Sequence, residues 1–538
     1  MIATLKRFAA PLVGAAALVL AGSGAAAPRT SVEPYLEAQQ VLLADLNGGE
    51  AVTYTALAAG VDASAATPTL EGQISYRYER RIAWDDDLAD SDIHSGLAAL
   101  RYQAVPGVLA LEAGALATRA RADGAGPLFG FNTADSPNLV EVYSLYGGPS
   151  LTTKVGDADL LASYRLGYVN VDDKSFGGVP LVSGQIVPDR YQSAVNHSAA
   201  ASIGMAPGVL PVGWTLAGAY VREDVNLLDQ RFEGAFVRGD VVVPVSPDLA
   251  LTAGIGYETI EQSQRDILRT AGGVPILTAG GRLIADRSRP RLEAIGIDGL
   301  IWDAGVIYRP DRRTELQARV GRRYGGTTVT GSFRRQLGPE TNVSAIVYDS
   351  VDSFGRVIVS DLADVPTSFQ VRRNALNPGV GGIGGCIFSA EGGSSVCFDD
   401  ALQAVTTANF RNRGAGVTFT TAQGPWSFNL GAGYANRKYL VPAGFSLRGV
   451  TDESFTVQAG ADRRLSRVSG LAFDGFLGWY NSGVPGVASA FGAGISGSYN
   501  RRLAERLDFQ AALGLYTTDT GSIDQTVAQA LVGLRYGF

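Results

Sequence analysis

The chain has 538 residues and a formal net charge of -7, with 68 Gly, 21 Tyr and 21 Phe but only 2 Met, and 18% of it is charged. So mild a charge excludes nucleic acid as a natural partner. The Gly-rich, Met-poor usage excludes a helical bundle, which needs Ala, Leu, Glu, Lys and Met at a 3.6-residue period.

At the N-terminus, Lys6 and Arg7 form a basic region, Phe8 to Ala21 an apolar run, and Ser23 to Ala27 a zone of small residues. This is the layout of a secretory signal peptide, residues 1–26, cleaved after Ala25 or Ala26. The apolar run falls short of the about 20 residues that a spanning helix needs. Ser23 stands where a lipoprotein would carry Cys, so no lipid anchor is expected.

The remainder, 27–538, reads as one domain. Val32 to Ala44 is already a strand, and no plug-sized domain is expected before it. Alternation then recurs. Leu70, Ile74, Tyr76 and Tyr78 oppose Glu71, Gln73, Ser75, Arg77 and Glu79. Leu160, Ala162, Tyr164, Leu166 and Tyr168 oppose Asp159, Ser163, Arg165 and Gly167. Leu300, Trp302, Ala304, Val306 and Tyr308 oppose Asp303, Gly305 and Arg309, and Trp426 to Tyr434 repeats the pattern. Period two with one apolar face defines a half-buried strand. A soluble sandwich would show more charge on its polar face. Gly, Ser and Gln with scattered charges of both signs suit a hydrated lumen instead.

Short turns, such as Pro106-Gly107, Gly156-Asp157 and Gln423-Gly424-Pro425, alternate with longer links at 84–92, 122–137, 172–190, 262–296 and 352–404. That asymmetry matches the periplasmic and extracellular ends of a transmembrane β-barrel. The expected fold is therefore an all-β, antiparallel transmembrane barrel of about 22 strands (range about 18–24) without a plug domain. A lumen that wide is either open or filled by its own loops, with 262–296 and 352–404 the candidates for infolding.

The lumen phase places Arg77, Arg101, Arg165, Arg319 and Arg334 inward as contacts for an anionic solute. The alternative is that they pair with Glu71, Glu79, Glu112, Glu315 and Asp474 and stiffen the wall. Apart from Lys6, Lys154, Lys174 and Lys438 every basic residue is Arg. GC-rich coding explains that bias, and Arg forks suited to carboxylate or phosphate groups in a pore are the functional alternative.

Cys386 and Cys397, the only cysteines, share one long loop of an exported chain and are expected to form a disulfide. Gly379 to Gly384 matches a dinucleotide fingerprint but follows no strand–helix unit, so it reads as a Gly-rich loop. Asp85, Asp86, Asp87, Asp90 and Asp92 read as a solvated acidic tip, since they lack the calcium-loop spacing. No nucleophile-elbow or zinc-protease motif occurs. His94 and His197 could serve a surface hydrolase, but no enzyme, cofactor or metal is expected.

The last stretch, Thr526 to Phe538, alternates back from a terminal aromatic. It resembles the closing strand of bacterial outer-membrane β-barrels, in which Leu534, Tyr536 and Phe538 would form the C-terminal assembly signal. Within it, Leu531 breaks the alternation. The stretches 32–46, 142–168 and 409–414 further resemble a family of uncharacterised outer-membrane barrels encoded beside exopolysaccharide or PEP-CTERM/exosortase genes. That resemblance implies a porin-type channel or export-associated pore in the outer membrane. Its expected partners are outer-membrane lipid, the barrel assembly machinery, and an acidic polysaccharide or exopolysaccharide export components. A structural barrel presenting its loops outward is the alternative, and a hydrolase the third.

Overall fold

The computed structural model describes residues 29–538 except 85–89, 126–137, 174–177, 179–180, 183–184, 187, 370–375, 377–385, 389–394, 399–401, 403, 485 and 522. The signal peptide, Asp85 to Asp87 and the Gly379 to Gly384 run lie outside the described residues.

Twenty-two strands form one antiparallel sheet, each bonded to its neighbours in sequence, and the sheet closes on itself. Closure joins the first strand, Arg29–Asp45, to the last, Asp524–Gly537, with Tyr35 opposite Gly537 and Asp45 opposite Val527. Closure leaves no unpaired sheet edge in the wall, the condition a strand structure must meet in hydrocarbon. No described helix is long and apolar enough to cross a membrane, so the crossing elements are the strands.

Arg29, Phe538 and most short turns lie at one end of the barrel, here the turn end; the longer connections gather at the other, the loop end, which also holds the two-residue turn Tyr324-Gly325. Of the two longest loops, one is narrower than the sequence suggested and the other runs four residues further. Strands run to Gln264 and resume at Leu292, and run to Asp352 and resume at Asn409.

The outward stripes carry large aliphatic residues that stay exposed on the isolated chain. Leu300 and Leu513 are each 69% exposed, and Val237, Ile255 and Ile495 at least 60%. On a closed sheet such a belt can be covered only by lipid. Aromatics edge it. Toward the turn end Trp426 stacks on Phe428 at 5.5 Å, and Tyr536 meets Phe538 edge-on at 5.2 Å. Toward the loop end tyrosine hydroxyls are tied to the neighbouring strand. Tyr220 donates to Glu233 (3.2 Å), Tyr434 to Glu453 (3.1 Å), and Tyr257 to Asp298. A ring with an apolar body and a wet tip belongs at such an interface.

The expected class needs correction in two respects. The chain is not all-β, because an α-helix, Phe354–Asp364, follows the strand that ends at Asp352. The barrel is also not free of a plug. The inner helix packs on lumen-facing residues of the strands Ser91–Val105, Leu109–Arg121, Leu139–Val155, Ala158–Asp172 and Ser193–Met205. Phe354, Ile358 and Leu362 are fully buried there against Leu97, Leu116, Val142 and Val169. Each such side chain contributes roughly 1.5–3 kcal/mol of burial. The physical reason for the miss is that these strands are apolar on both faces near the loop end. Alternation alone does not say that the second apolar face meets protein rather than water.

Candidate functional site

The lumen has two halves of different chemistry. Toward the turn end its stripes carry Gln317, Ser332, Ser344, Thr418, Asn429 and Gln510, half-buried or exposed, with few apolar groups between them. Ser344 Oγ and Thr418 Oγ1 share a hydrogen bond of 2.6 Å across adjacent strands. This half is a wet vestibule. Toward the loop end, the helix Phe354–Asp364 and the described residues Phe369, Leu376, Ile387, Phe398 and Val405 pack into the bore.

The filling is anchored by chemistry as well as packing. Ser353 caps the inner helix, its hydroxyl accepting from the Arg356 N–H (3.2 Å). Arg356 pairs with Asp352 (2.7 Å) and lies 3.9 Å over the Phe232 ring of the wall. Glu223, buried on the lumen face, accepts from the Tyr191 hydroxyl (3.0 Å) and stands beside Gly355 in the helix's first turn. A carboxylate there complements the helix dipole. Farther along, Phe369 N–H donates to Gln73 Oε1 (2.9 Å), and Leu376 enters a cluster with Val41, Tyr54, Tyr516 and Leu531.

The five sequence-selected arginines all sit on the lumen stripe, and four meet carboxylates. Arg77 contacts Glu37 (2.8 Å) and Glu79, and Arg81 also reaches Glu79. Arg101 and Arg165 flank Glu112 at 3.7 and 3.8 Å. Arg319 reaches Asp240 (2.7 Å) and Asp303 (3.0 Å). Arg334 stands opposite Glu315 in register and is exposed. Expected partners Glu79 and Glu112 are therefore found, and Glu71 lies opposite Arg101 in register. Arg319 instead uses two carboxylates absent from the sequence expectation.

Sequence reasoning also missed Arg238, which bridges Asp240 (2.6 Å) and Asp303 (2.8 Å), and Arg535, which meets Asp62 (3.0 Å) and Glu37 (3.7 Å). The signal was present, because Arg238-x-Asp240 and Arg77-x-Glu79-x-Arg81 put both signs on one strand face at spacing two. Asp303 lies beyond the intervening strand, and the bridge passes over Gly254. A Cβ there would come within 2.2 Å of Arg238 Nη2 and 2.5 Å of Asp240 Oδ1.

His94 and His197 are not in the lumen. Each is on the outer wall, where His94 Nδ1 shares a hydrogen bond with Tyr76 Oη (2.7 Å) and His197 Nδ1 with Tyr164 Oη (2.8 Å). They sit in the loop-end girdle, far apart along the sheet. Asp90 and Asp92 both pair with Arg80, at 2.8 and 2.9 Å. Backbone pairing sets Cys386 opposite Cys397 in a small hairpin, while the disulfide itself falls on side chains outside the described residues. Leu534, Tyr536 and Phe538 face outward.

No protein-family model and no curated protein matches this chain. Among solved structures it is similar to the FrpB iron transporter from Neisseria meningitidis, at 10% identity and TM-score 0.47, over 94% of this chain and 82% of that one. The ferric-catecholate import receptor Fiu from E. coli K12 gives 10% identity and TM-score 0.46 over 94% and 81%. The copper transporter OprC gives 11% and 0.42 over 95% and 80%. The likeness is one of barrel architecture. The chain is a β-barrel of the outer-membrane type.

Proposed function

We propose that the chain is an outer-membrane channel whose bore is set by its own infolded segment, with a transport role and no catalytic one. The observation that carries this is the continuity of a polar vestibule with a strap docked on one wall. A barrel with no need to pass a solute has no use for a wet half-lumen. In this reading the turn end faces the periplasm and the loop end the exterior.

The finer reading is that the channel serves export of an acidic exopolysaccharide, as the sequence resemblance implies. What supports it is the charge at the turn-end mouth. Arg312, Arg313, Arg334, Arg335, Arg464 and Arg467 are exposed there, and no carboxylate lies within ion-pair distance of them among the described residues. Such a rim raises the local concentration of a polyanion arriving from the periplasm. The paired arginines deeper in the lumen offer a gliding surface rather than a trap.

Proteoliposomes made with the purified barrel test this with size-matched acidic and neutral oligosaccharides. The proposal expects faster passage of the acidic set, slowed in R334Q/R464Q. Equal rates for both sets would remove the polyanion reading, and passage of neither would favour a closed, surface-presenting barrel.

A further inference from the structure

The loop 265–291 holds a guanidinium cluster that the transport reading does not use. Four of its arginines meet carboxylates: Arg269 and Arg289 reach Asp266 (3.9 and 3.1 Å), Arg282 reaches Asp189 (2.7 Å), and Arg287 reaches Asp229 (3.1 Å). Arg265 and Arg291 differ. Arg291 donates from Nε to Ser263 Oγ (2.9 Å), and from Nη2 to the carbonyl oxygens of Asp229 (2.6 Å) and Ser263 (2.9 Å). Arg265 donates from Nη1 to the Arg289 carbonyl (2.8 Å), and its Nε is buried with no acceptor. Neutral oxygens fix both forks in place, and neither guanidinium forms an ion pair among the described residues.

Arg231 stands beside them. It pairs with Asp224 (2.9 Å), while Arg222 reaches both Asp224 (2.7 Å) and Glu233 (3.6 Å). Burial, then the like charges of Arg231 and Arg265, hold Arg291 below the ordinary arginine range. Two guanidiniums held by neutral oxygens, with Arg231 beside them, make a site that is short of an anion.

The site opens on the lipid side. Gln230 and Phe232 are buried toward the lumen, so Arg231 between them faces outward, opposite Ser263 in register. The same outward stripes carry Tyr220 and Tyr257 of the girdle, then Val237 and Ile255 of the apolar belt. Asp224, four residues beyond Tyr220, lies level with Arg231. At a strand rise of about 3.3 Å and the usual tilt, the cluster stands about 10 Å beyond the girdle, in the headgroup layer.

We propose that Arg265, Arg291 and Arg231 bind a phosphate group carried by an outer-leaflet lipid headgroup. A tetrahedral phosphate supplies acceptor oxygens for more than one guanidinium at once, including the unused Arg265 Nε. The inference rests on the membrane placement of the barrel and is independent of whether the lumen conducts.

The test uses the intact barrel in detergent micelles, with bound lipid read by native mass spectrometry. The probes are diphosphoryl lipid A, the same lipid with both phosphates removed, and inorganic phosphate. Diphosphoryl lipid A is expected to bind, and R265Q/R291Q to weaken it about tenfold or more, as expected for loss of charge-assisted hydrogen bonds. R80Q, which removes a guanidinium already paired with Asp90 and Asp92, leaves binding unchanged. If the double variant yields no heat-modifiable barrel, R291K is read instead, which keeps the charge but loses the fork and is expected to bind more weakly. Equal binding of the dephosphorylated lipid, full competition by an equal concentration of inorganic phosphate, or unchanged binding in the folded variants would overturn the proposal.

Discussion

At the scale of single residues, the lumen charges act as compensated groups. Arg319 serves Asp240 and Asp303 together with Arg238, so the four form a neutral cluster. R319Q leaves one uncompensated negative charge on the wall, and the reversal potential in a salt gradient should shift toward cation selectivity; an unchanged potential would mean that ions do not pass this wall. Backbone fit is the second lesson at this scale. A Cβ on Gly148 would sit 1.9 Å from the Tyr164 carbonyl oxygen of the next strand. G148A therefore has to displace the wall, costing about 1–3 kcal/mol as overpacking does. The readout is a lower midpoint for loss of the compact band in heat-modifiability gels. Much at this scale was legible beforehand: the inward phase of the five arginines followed from period two alone. Their partners were only half legible, since Glu37, Asp240 and Asp303 come from strands whose stagger is set by barrel closure.

Elements show where the sequence misled. Leu531 breaks the polar stripe of the last strand, and with Val527 on the same face it packs in the cluster that receives Leu376 from the infolded segment. Leu97, Leu116 and Val142 are the same kind of exception, repeated across adjacent strands. An apolar lumen stripe was thus the trace of a plug supplied by a loop. Segment 352–404 was a candidate for infolding, but the stripe that receives it could not be read, because nothing local says what lies across the bore. The inner helix is held by its cap and its apolar face. S353A removes the cap and should cost about 1 kcal/mol, while I358D buries a charge where exposure is nil and should undock the helix. Limited proteolysis should then cut near 354–364 in I358D and spare the parent; equal protection would show that the helix is held by something else. In the same segment, residues opposite each other in an antiparallel pair lie about 4.5–5.5 Å apart at Cα, inside the span a disulfide bridges. Cys386 and Cys397 should therefore resist alkylation until reduced.

For the whole molecule, one closed wall carries three environments: a lipid-facing belt, a wet vestibule, and a dry half-bore into which the helix Phe354–Asp364 and its neighbours pack. The belt and the wet stripe were both legible from alternation, and both histidines were visible as strand residues without obvious chemistry. Their place in the girdle needed the register that pairs Tyr164 with His197 across strands. The occupied half-bore makes the central claim measurable in planar bilayers. The intact barrel should show small or intermittent conductance, and a barrel with 353–408 replaced by a short Gly-Ser turn should show a large, steady one. If the shortened barrel folds and inserts but stays silent, or if the intact barrel already conducts as much, the chain is not a channel governed by its own infolded segment.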